Sequence, residues 1–288
     1  MHNLKRLFLG FIACTSVHHT MPAMTSLAWQ WDGIKYQANS SLQYDLGSAV
    51  LEKFQFSGIE SVLDLGCGDG KLTSLIAKKV PSGQVIGSDM SLSMIKIATQ
   101  TYADIPNLSF TVKRIEDLAA TEVVDVITSF SAFHLIPTQN WPAALSNIHR
   151  ALKPGGKALL FFCSPSKNPW YAQIIESFAH IGLAEKAPVK IDESITVEFL
   201  SKLCKQAGFA HCSARIDIIP YPFSTQEAFT SQIRALGWFN LIPSTLQQKF
   251  LDHHVSCVRK YNQQLNEELR DSTFFARSAF ATICLAKS

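Results

Sequence analysis

From Ser41 onward the apolar residues recur at two alternating periods. Leu42, Leu46, Ala49, Val50 and Phe54 are spaced for one face of a helix, and Gly58 stops it. The next run, Ser61–Leu65, is short and almost continuously apolar, and it ends in Gly66-Cys-Gly-Asp-Gly70. That is the pattern of a buried strand entering a glycine turn. The alternation continues with helix Leu72–Val80, strand Gln84–Asp89, helix Met94–Tyr102, strands Leu108–Val112 and Val123–Phe130, helix Trp141–Leu152 and strand Lys157–Cys163. Strands and helices at this spacing predict an α/β fold with a parallel, doubly wound sheet.

After Ser164 the rhythm changes. Pro165, Pro169 and Pro188 surround one helical stretch, Trp170–Ile181, which reads as an inserted lid. Helix Thr196–Ala207, closed by Gly208, then precedes strand Cys212–Ile219, helices Thr225–Gly237 and Pro243–Leu269, and a last strand, Thr273–Ala286. The whole predicts a single domain over residues 25–288, with cap insertions at about 165–195 and 221–270.

The chemistry concentrates at the glycine turn. Gly66, Gly68 and Gly70 permit a sharp bend, but the spacing is neither of the common phosphate-binding ones, and two acids, Asp64 and Asp69, stand at the turn. Negative charge there disfavours a pyrophosphate and suits a cationic ligand. Asp89 ends the second strand, 21 residues after Gly68, where dinucleotide-type sheets place a carboxylate on ribose hydroxyls. The alternative, a cap on the helix beginning near Ser91, is compatible with that role, since ribose contact uses the far oxygen. His134, just past the fourth strand, lies at the ligand-binding end of such a sheet and is the candidate general base; the alternative is a histidine that packs its loop.

Composition narrows the class. The 288 residues are 47% hydrophobic and 17% charged, which excludes a disordered chain. A net charge of +3 without a run of one sign is too little for a nucleic-acid surface. The seven cysteines are odd in number and scattered, with no CxxC pair, which predicts a reducing compartment, cytoplasmic localisation and no metal site. Residues 1–20 complicate that address: Lys5 and Arg6 precede an apolar stretch, Leu7–Val17, laid out like a secretory signal, with Cys14 in a faint lipoprotein-type box. It is too short to span a bilayer, so no integral membrane domain is predicted. A start of translation at Met21 or Met24, an export signal or tether, and a plain amphipathic helix are the alternatives for residues 1–24.

Taken together, VLDLGCGDG at residues 62–70, Asp89, RIEDL at 114–118, DVITSFSAFHLI at 125–136 and LKPGGKALLFF at 152–162 resemble the class I S-adenosylmethionine-dependent methyltransferases. The resemblance implies a Rossmann-like, seven-stranded, mostly parallel sheet with helices on both faces and a helical cap, and S-adenosyl-L-methionine as cofactor. It further implies that Asp64 and the Gly66-Cys67-Gly68 backbone hold the methionine moiety, that Asp89 and Met90 hold the ribose and flank the adenine, that Ile115 and Glu116 border the base, and that Phe130 is a further cofactor-binding residue. Many members carry an Asp where this chain has Arg114, so the resemblance breaks at one adenine contact, for which backbone N–H groups and Glu116 are the substitutes.

Outside that core, Tyr36–Gln43, the end of strand four and the tail are similar to the small-molecule carboxyl methyltransferases related to the trans-aconitate and juvenile hormone acid enzymes. In that branch a Gln matching Gln43 and a Trp matching Leu135 hold the substrate carboxylate; here only the Gln is present. The resemblance therefore implies a small-molecule acceptor. Malonyl-carrier-protein and natural-product methyltransferases, O-, N- or C-methylation of another acceptor, and a non-catalytic cofactor-binding protein remain alternatives. Tyr36, Leu135, Trp170, Arg234 and Trp238 are the candidate acceptor-binding residues. Trp170, Tyr171, Phe178, Phe223, Phe229, Trp238 and Phe239 give the two insertions an aromatic content suited to an apolar acceptor, or simply to a core of their own.

Overall fold

A computed structural model of the chain describes residues 31–265 and 274–288. The leader readings for residues 1–24 and the last residues of the expected Pro243–Leu269 helix lie outside the described residues. Two short helices, α1 (Gly33–Asn39) and α2 (Ser41–Leu51), lead into β1 (Ser61–Leu65), α3 (Lys71–Lys79), β2 (Gln84–Asp89), α4 (Leu92–Thr101), β3 (Leu108–Val112) and β4 (Val124–Phe130). Then follow α5 (Trp141–Ala151), β5 (Leu152–Cys163), α6 (Pro169–His180), α7 (Val197–Gln206), β6 (His211–Phe223), α8 (Gln226–Ala235), α9 (Ser244–Leu265) and β7 (Phe274–Ala286).

The seven strands form one sheet in the order β3-β2-β1-β4-β5-β7-β6. β1 to β5 run parallel, and β7 is inserted antiparallel to both β5 and β6. The chain winds outward from β1 in one direction through β2 and β3, then returns to start the other way at β4. That reversal opens a crevice at the carboxyl ends of β1 and β4, where ligands bind in such sheets.

Where the elements depart from the sequence pattern, the causes are local. α1 is one short helix whose signal is a single cap: Asp32 Oδ1 accepts the Ile34 and Lys35 N–H groups, both at 3.1 Å. β5 begins at Leu152 rather than Lys157 because Leu152 pairs with Val124, after which the register shifts between Val124 and Val126. β6 runs on through Pro220 and Pro222 because it is the edge strand, where a missing N–H costs no ladder bond.

Two apolar layers flank the sheet. One packs α5 and α7, through Leu145, Ile148, Leu200 and Leu203, against β1, β4, β5 and β7. The other gathers Leu51 of α2, Ile76 of α3, Trp170 and Phe178 of α6, Phe229 and Ile233 of α8 and Phe250 of α9 against Phe161 and Phe280 of β5 and β7. The expected lid is in part a layer of the core: among the described residues, α6, α8 and α9 cover the second face over β5 and β7, while α8 also reaches the cleft wall through the bond between Gln232 and Gln43. Their aromatic residues are the material of that layer: Trp170 is 8% exposed, Trp238 3%, and Phe178 and Phe229 are fully buried.

Candidate active site

β1 delivers the chain to the crevice with Asp64 buried near its end, and the turn beyond it follows from three glycines with positive φ: Gly66 (+72°), Gly68 (+54°) and Gly70 (+80°). At Gly66 the need is also steric, since a Cβ there would stand 2.2 Å from Ala132 Cβ. The turn is pinned by its own amides. Gly66 and Cys67 N–H donate to the Ser88 carbonyl at 2.7 and 2.9 Å, Gly68 N–H donates to Asp89 Oδ2 at 3.0 Å, and Gly70 N–H donates to the Cys67 carbonyl at 3.0 Å. With those donors occupied, what the turn offers a ligand is chiefly acceptors. Asp89 Oδ1 meanwhile accepts Ser91 N–H at 2.8 Å, so both alternatives raised for Asp89 meet in one side chain: it braces the start of α4 and faces the turn.

Asp64 accepts hydroxyls on both oxygens, from Thr73 at 2.6 Å and Thr128 at 2.7 Å. Burial nevertheless outweighs these bonds and lifts its pKa from 3.8 to about 6. Burial likewise raises Asp89, and burial together with Asp69 and Asp89 keeps the Tyr36 phenol protonated. Lys71 Nζ donates to the Gln37 carbonyl and, at 2.7 Å, to Ser40 Oγ, and it pairs with Asp69 at 3.4 Å. Ser40 Oγ in turn donates to Asp69 Oδ2 at 3.1 Å. This clasp fixes α1 and α2 against the turn and spends the cation on Asp69, leaving Asp64 and Asp89 without a basic partner among the described residues.

A cleft opens at this point, lined by Tyr36, Ser40, Gln43 and Tyr44 from α1 and α2, by Asp64 and the Gly66–Asp69 turn, and by Lys71, Leu72 and Phe130. The buried Asp64, the half-buried Asp89 and a turn that offers acceptors fit a ligand carrying positive charge and hydroxyl groups, which describes S-adenosylmethionine: a sulfonium, an ammonium and a ribose.

The residues expected from the sequence divide. Tyr36, Gln43, Asp64, Gly66, Cys67, Gly68 and Phe130 line the cleft, Asp89 binds its turn, and Ile115 Cδ1 lies 3.8 Å from the position of a Cβ on Gly66. Met90 is largely exposed, and the Glu116 carboxylate is held by Arg114 at 3.0 Å. Leu135, Trp170, Arg234 and Trp238 do not line the cleft. Trp170 and Trp238 are core, Leu135 is exposed on a single 3-10 turn (Phe133–Leu135), and Arg234 pairs with Glu227 at 3.4 Å on the surface. Sequence reasoning missed Ser40, Lys71, Thr73 and Thr128. Thr128, a hydroxyl directly after the apolar pair Val126-Ile127 of β4, was the available signal.

Beyond β4 the backbone takes a left-handed turn at Ser131 (φ +54°), a conformation that strains a residue with a side chain. The hydroxyls of Ser129 and Ser131 and Nδ1 of His134 are buried there without hydrogen-bond partners. Burial pushes His134 down to about 4, so its imidazole is neutral at pH 7.

The Asp64 shift carries a stability consequence. Its folded-state value lies above the ordinary 3.8, so the folded chain holds this proton more tightly than the unfolded one. The resulting stabilisation is complete below pH 3.8 and is lost as pH rises through about 6, a displacement worth about 3 kcal/mol. In urea unfolding of the ligand-free protein across that range, Asp64→Asn is expected to remove this component of the pH dependence. A variant with the unaltered pH profile would refute the assignment. A cationic ligand favours the ionised form, so binding is expected to release a proton near pH 6, measurable by calorimetry in buffers of different ionisation heat.

Residues 62–156 match a family described as "Methyltransferase domain". The chain is 30% identical over 205 residues to a malonyl-[acyl-carrier protein] O-methyltransferase of Bacillus cereus, covering 69% of this chain and 72% of the relative. It is 26% identical over 270 residues to the juvenile hormone acid O-methyltransferase of Drosophila melanogaster, covering 84% and 87%. Among solved structures, the YcgJ protein of Bacillus subtilis superposes with a TM-score of 0.58 at 17% identity, over 85% of this chain and 98% of that one. With the strand order, the acidic glycine turn and the carboxylate ending β2, these relationships place the chain in the class I S-adenosylmethionine-dependent methyltransferases, a family whose cofactor is S-adenosyl-L-methionine.

Proposed function

We propose that the protein transfers a methyl group to the carboxylate oxygen of a small organic acid. The Gln43 amide carries this reading. Gln43 lines the cleft beside the glycine turn, and its Oε1 accepts Gln232 Nε2 at 3.1 Å. That bond occupies the amide's acceptor and leaves its N–H donors for a ligand, the polarity a carboxylate needs. The relatives support O-methylation, since both the juvenile hormone acid enzyme and the malonyl-carrier-protein enzyme are O-methyltransferases by name.

When bound, S-adenosylmethionine supplies a methyl group already activated on a sulfonium. Asp89 would hold its ribose, the Gly66–Gly68 turn and Asp64 its amino-acid end, and Phe130 and Ile115 the neighbouring apolar surface. Gln43 would hold one acceptor oxygen while the other faces the methyl, so that alignment in a closed, dry cleft sets the rate. No base is called for, because a carboxylic acid is ionised at neutral pH. His134, pushed down to about 4 by burial, is a poor base for a phenol or an ammonium, whose pKa values lie near 10.

Incubation with methyl-labelled cofactor and a panel of small carboxylic acids, phenols, amines and malonyl-carrier protein is expected to yield alkali-labile methyl esters of the acids. Gln43→Ala is expected to lower kcat tenfold to a hundredfold with unchanged affinity for S-adenosylhomocysteine, while His134→Ala stays within about threefold of wild type. The reverse pattern, with His134→Ala inactive and Gln43→Ala normal, would replace the carboxylate by an acceptor that must be deprotonated.

A further inference from the structure

Away from the cleft, α6 and α9 pack against one another, and each brings two metal-ligating side chains to the contact at helical spacing. Glu176 and His180 lie four residues apart on α6, and His253 and Cys257 four apart on α9, so each pair occupies one face of its helix. One ligand atom from each of Glu176, His253 and Cys257 falls within 4.8 Å of the other two. Cys257 Sγ stands 3.4 Å from His253 Nδ1, and the His180 ring stacks on that of His253 at 3.9 Å between centroids and 14° between planes. Zinc binds sulfur at about 2.3 Å and nitrogen or oxygen at about 2.0–2.2 Å, which at tetrahedral angles sets its donors roughly 3.4–3.6 Å apart. The thiol–imidazole pair already has that separation. Glu176 is exposed, His253 half-buried and Cys257 buried, so an ion entering from solvent meets the carboxylate first and the sulfur last.

We propose that this junction of α6 and α9 is a binding site for a thiophilic divalent ion of the zinc type, held by the Glu176 carboxylate, the His253 imidazole and the Cys257 thiolate, with the His180 imidazole as fourth donor after rotation of its ring. The ligand set selects the ion: sulfur and imidazole suit zinc and cobalt, whereas calcium and magnesium require oxygen donors. Cys257 binds as the thiolate, and its proton passes to solvent. In the ion-free protein, burial and the neighbouring Glu176 push that thiol up to about 11, so it is not a reactive nucleophile there. A bound ion would cross-brace the two helices that cover β5 and β7. The sequence reading of scattered cysteines and no metal site could not see this, because the ligands are paired across two helices that are far apart along the chain.

The test uses the untagged, reduced full-length chain with zinc or cobalt(II) alone. Expected are one ion per chain, a thiolate-to-cobalt charge-transfer band with the visible bands of a tetrahedral site, and a melting temperature raised by several degrees in excess zinc. His253→Gln, at the half-buried position, and Cys257→Ser are each expected to weaken binding at least tenfold and abolish the charge-transfer band. Cys284→Ser, at an exposed thiol on β7, is expected to leave both unchanged. Absence of stoichiometric binding by the wild-type chain, or undiminished binding by His253→Gln, would overturn the site.

Discussion

Gly66→Ala is expected to destabilise the fold by about 2–5 kcal/mol and to remove measurable binding of S-adenosylhomocysteine. Two costs add. The residue sits at φ +72°, where a side chain costs about 1–2 kcal/mol, and the new Cβ would stand 2.2 Å from Ala132 Cβ, a contact that forces backbone to move at a further cost of about 1–3 kcal/mol. The atoms that must yield belong to the segment that follows β4, where Ser131 already occupies a left-handed conformation. The strain therefore falls on both walls of the crevice at once. A second substitution separates the terms: adding Ala132→Gly removes the clash and leaves the φ cost, so the double variant should recover part of the stability lost by Gly66→Ala. Chemical unfolding and calorimetric titration check both. A double variant no more stable than Gly66→Ala would show that steric contact is not why glycine is required.

The glycine turn was legible in the sequence because its requirements are local: a buried strand, small residues at fixed offsets and acids where a phosphate site would have none. The same holds for the first five strands and the crossover helices among them, whose apolar spacing is set by the sheet face each one covers. What escaped were features decided by distant partners. Lys71 was visible beside the turn, yet its role as a clasp depends on the Gln37 carbonyl and Ser40 across the fold. Asp64 was read as a ligand for the methionine end, and it lines the cleft, but the hydroxyls of Thr73 and Thr128 that set its chemistry come from α3 and β4. The aromatic residues of α6, α8 and α9 posed a different problem. An apolar helix face gives the same periodicity whether it covers a sheet or an acceptor, and only the topology, with β7 inserted beside β5, shows that the sheet needed it.

Gln232 extends the same lesson to the acceptor side. It is almost completely buried on α8, and its Nε2 sets the orientation of the Gln43 amide from 189 residues away along the chain. Sequence resemblance could single out Gln43 but not the residue that holds its amide oxygen.

Asp89→Ala is expected to weaken S-adenosylmethionine and S-adenosylhomocysteine alike by tenfold to about 150-fold. That range is the loss of one hydrogen bond between a charged acceptor and the ribose, worth about 1.5–3 kcal/mol. A loss of fold stability accompanies it, since Gly68 and Ser91 lose the acceptor of their N–H groups when the carboxylate is removed. Asp89→Asn distinguishes the contributions. The amide keeps one acceptor oxygen, so it can still hold either Gly68 or Ser91 and should preserve more of the fold's stability than Ala, while presenting an uncharged group to the ribose. If Asp89 acts mainly on the ligand, Asn should weaken cofactor binding nearly as much as Ala, with a smaller fall in melting temperature. If it acts mainly by holding the turn, affinity should follow stability through both variants. Equal affinity for wild type and Asp89→Ala would remove the ribose role altogether, and the carboxylate would then be a brace between the glycine turn and α4.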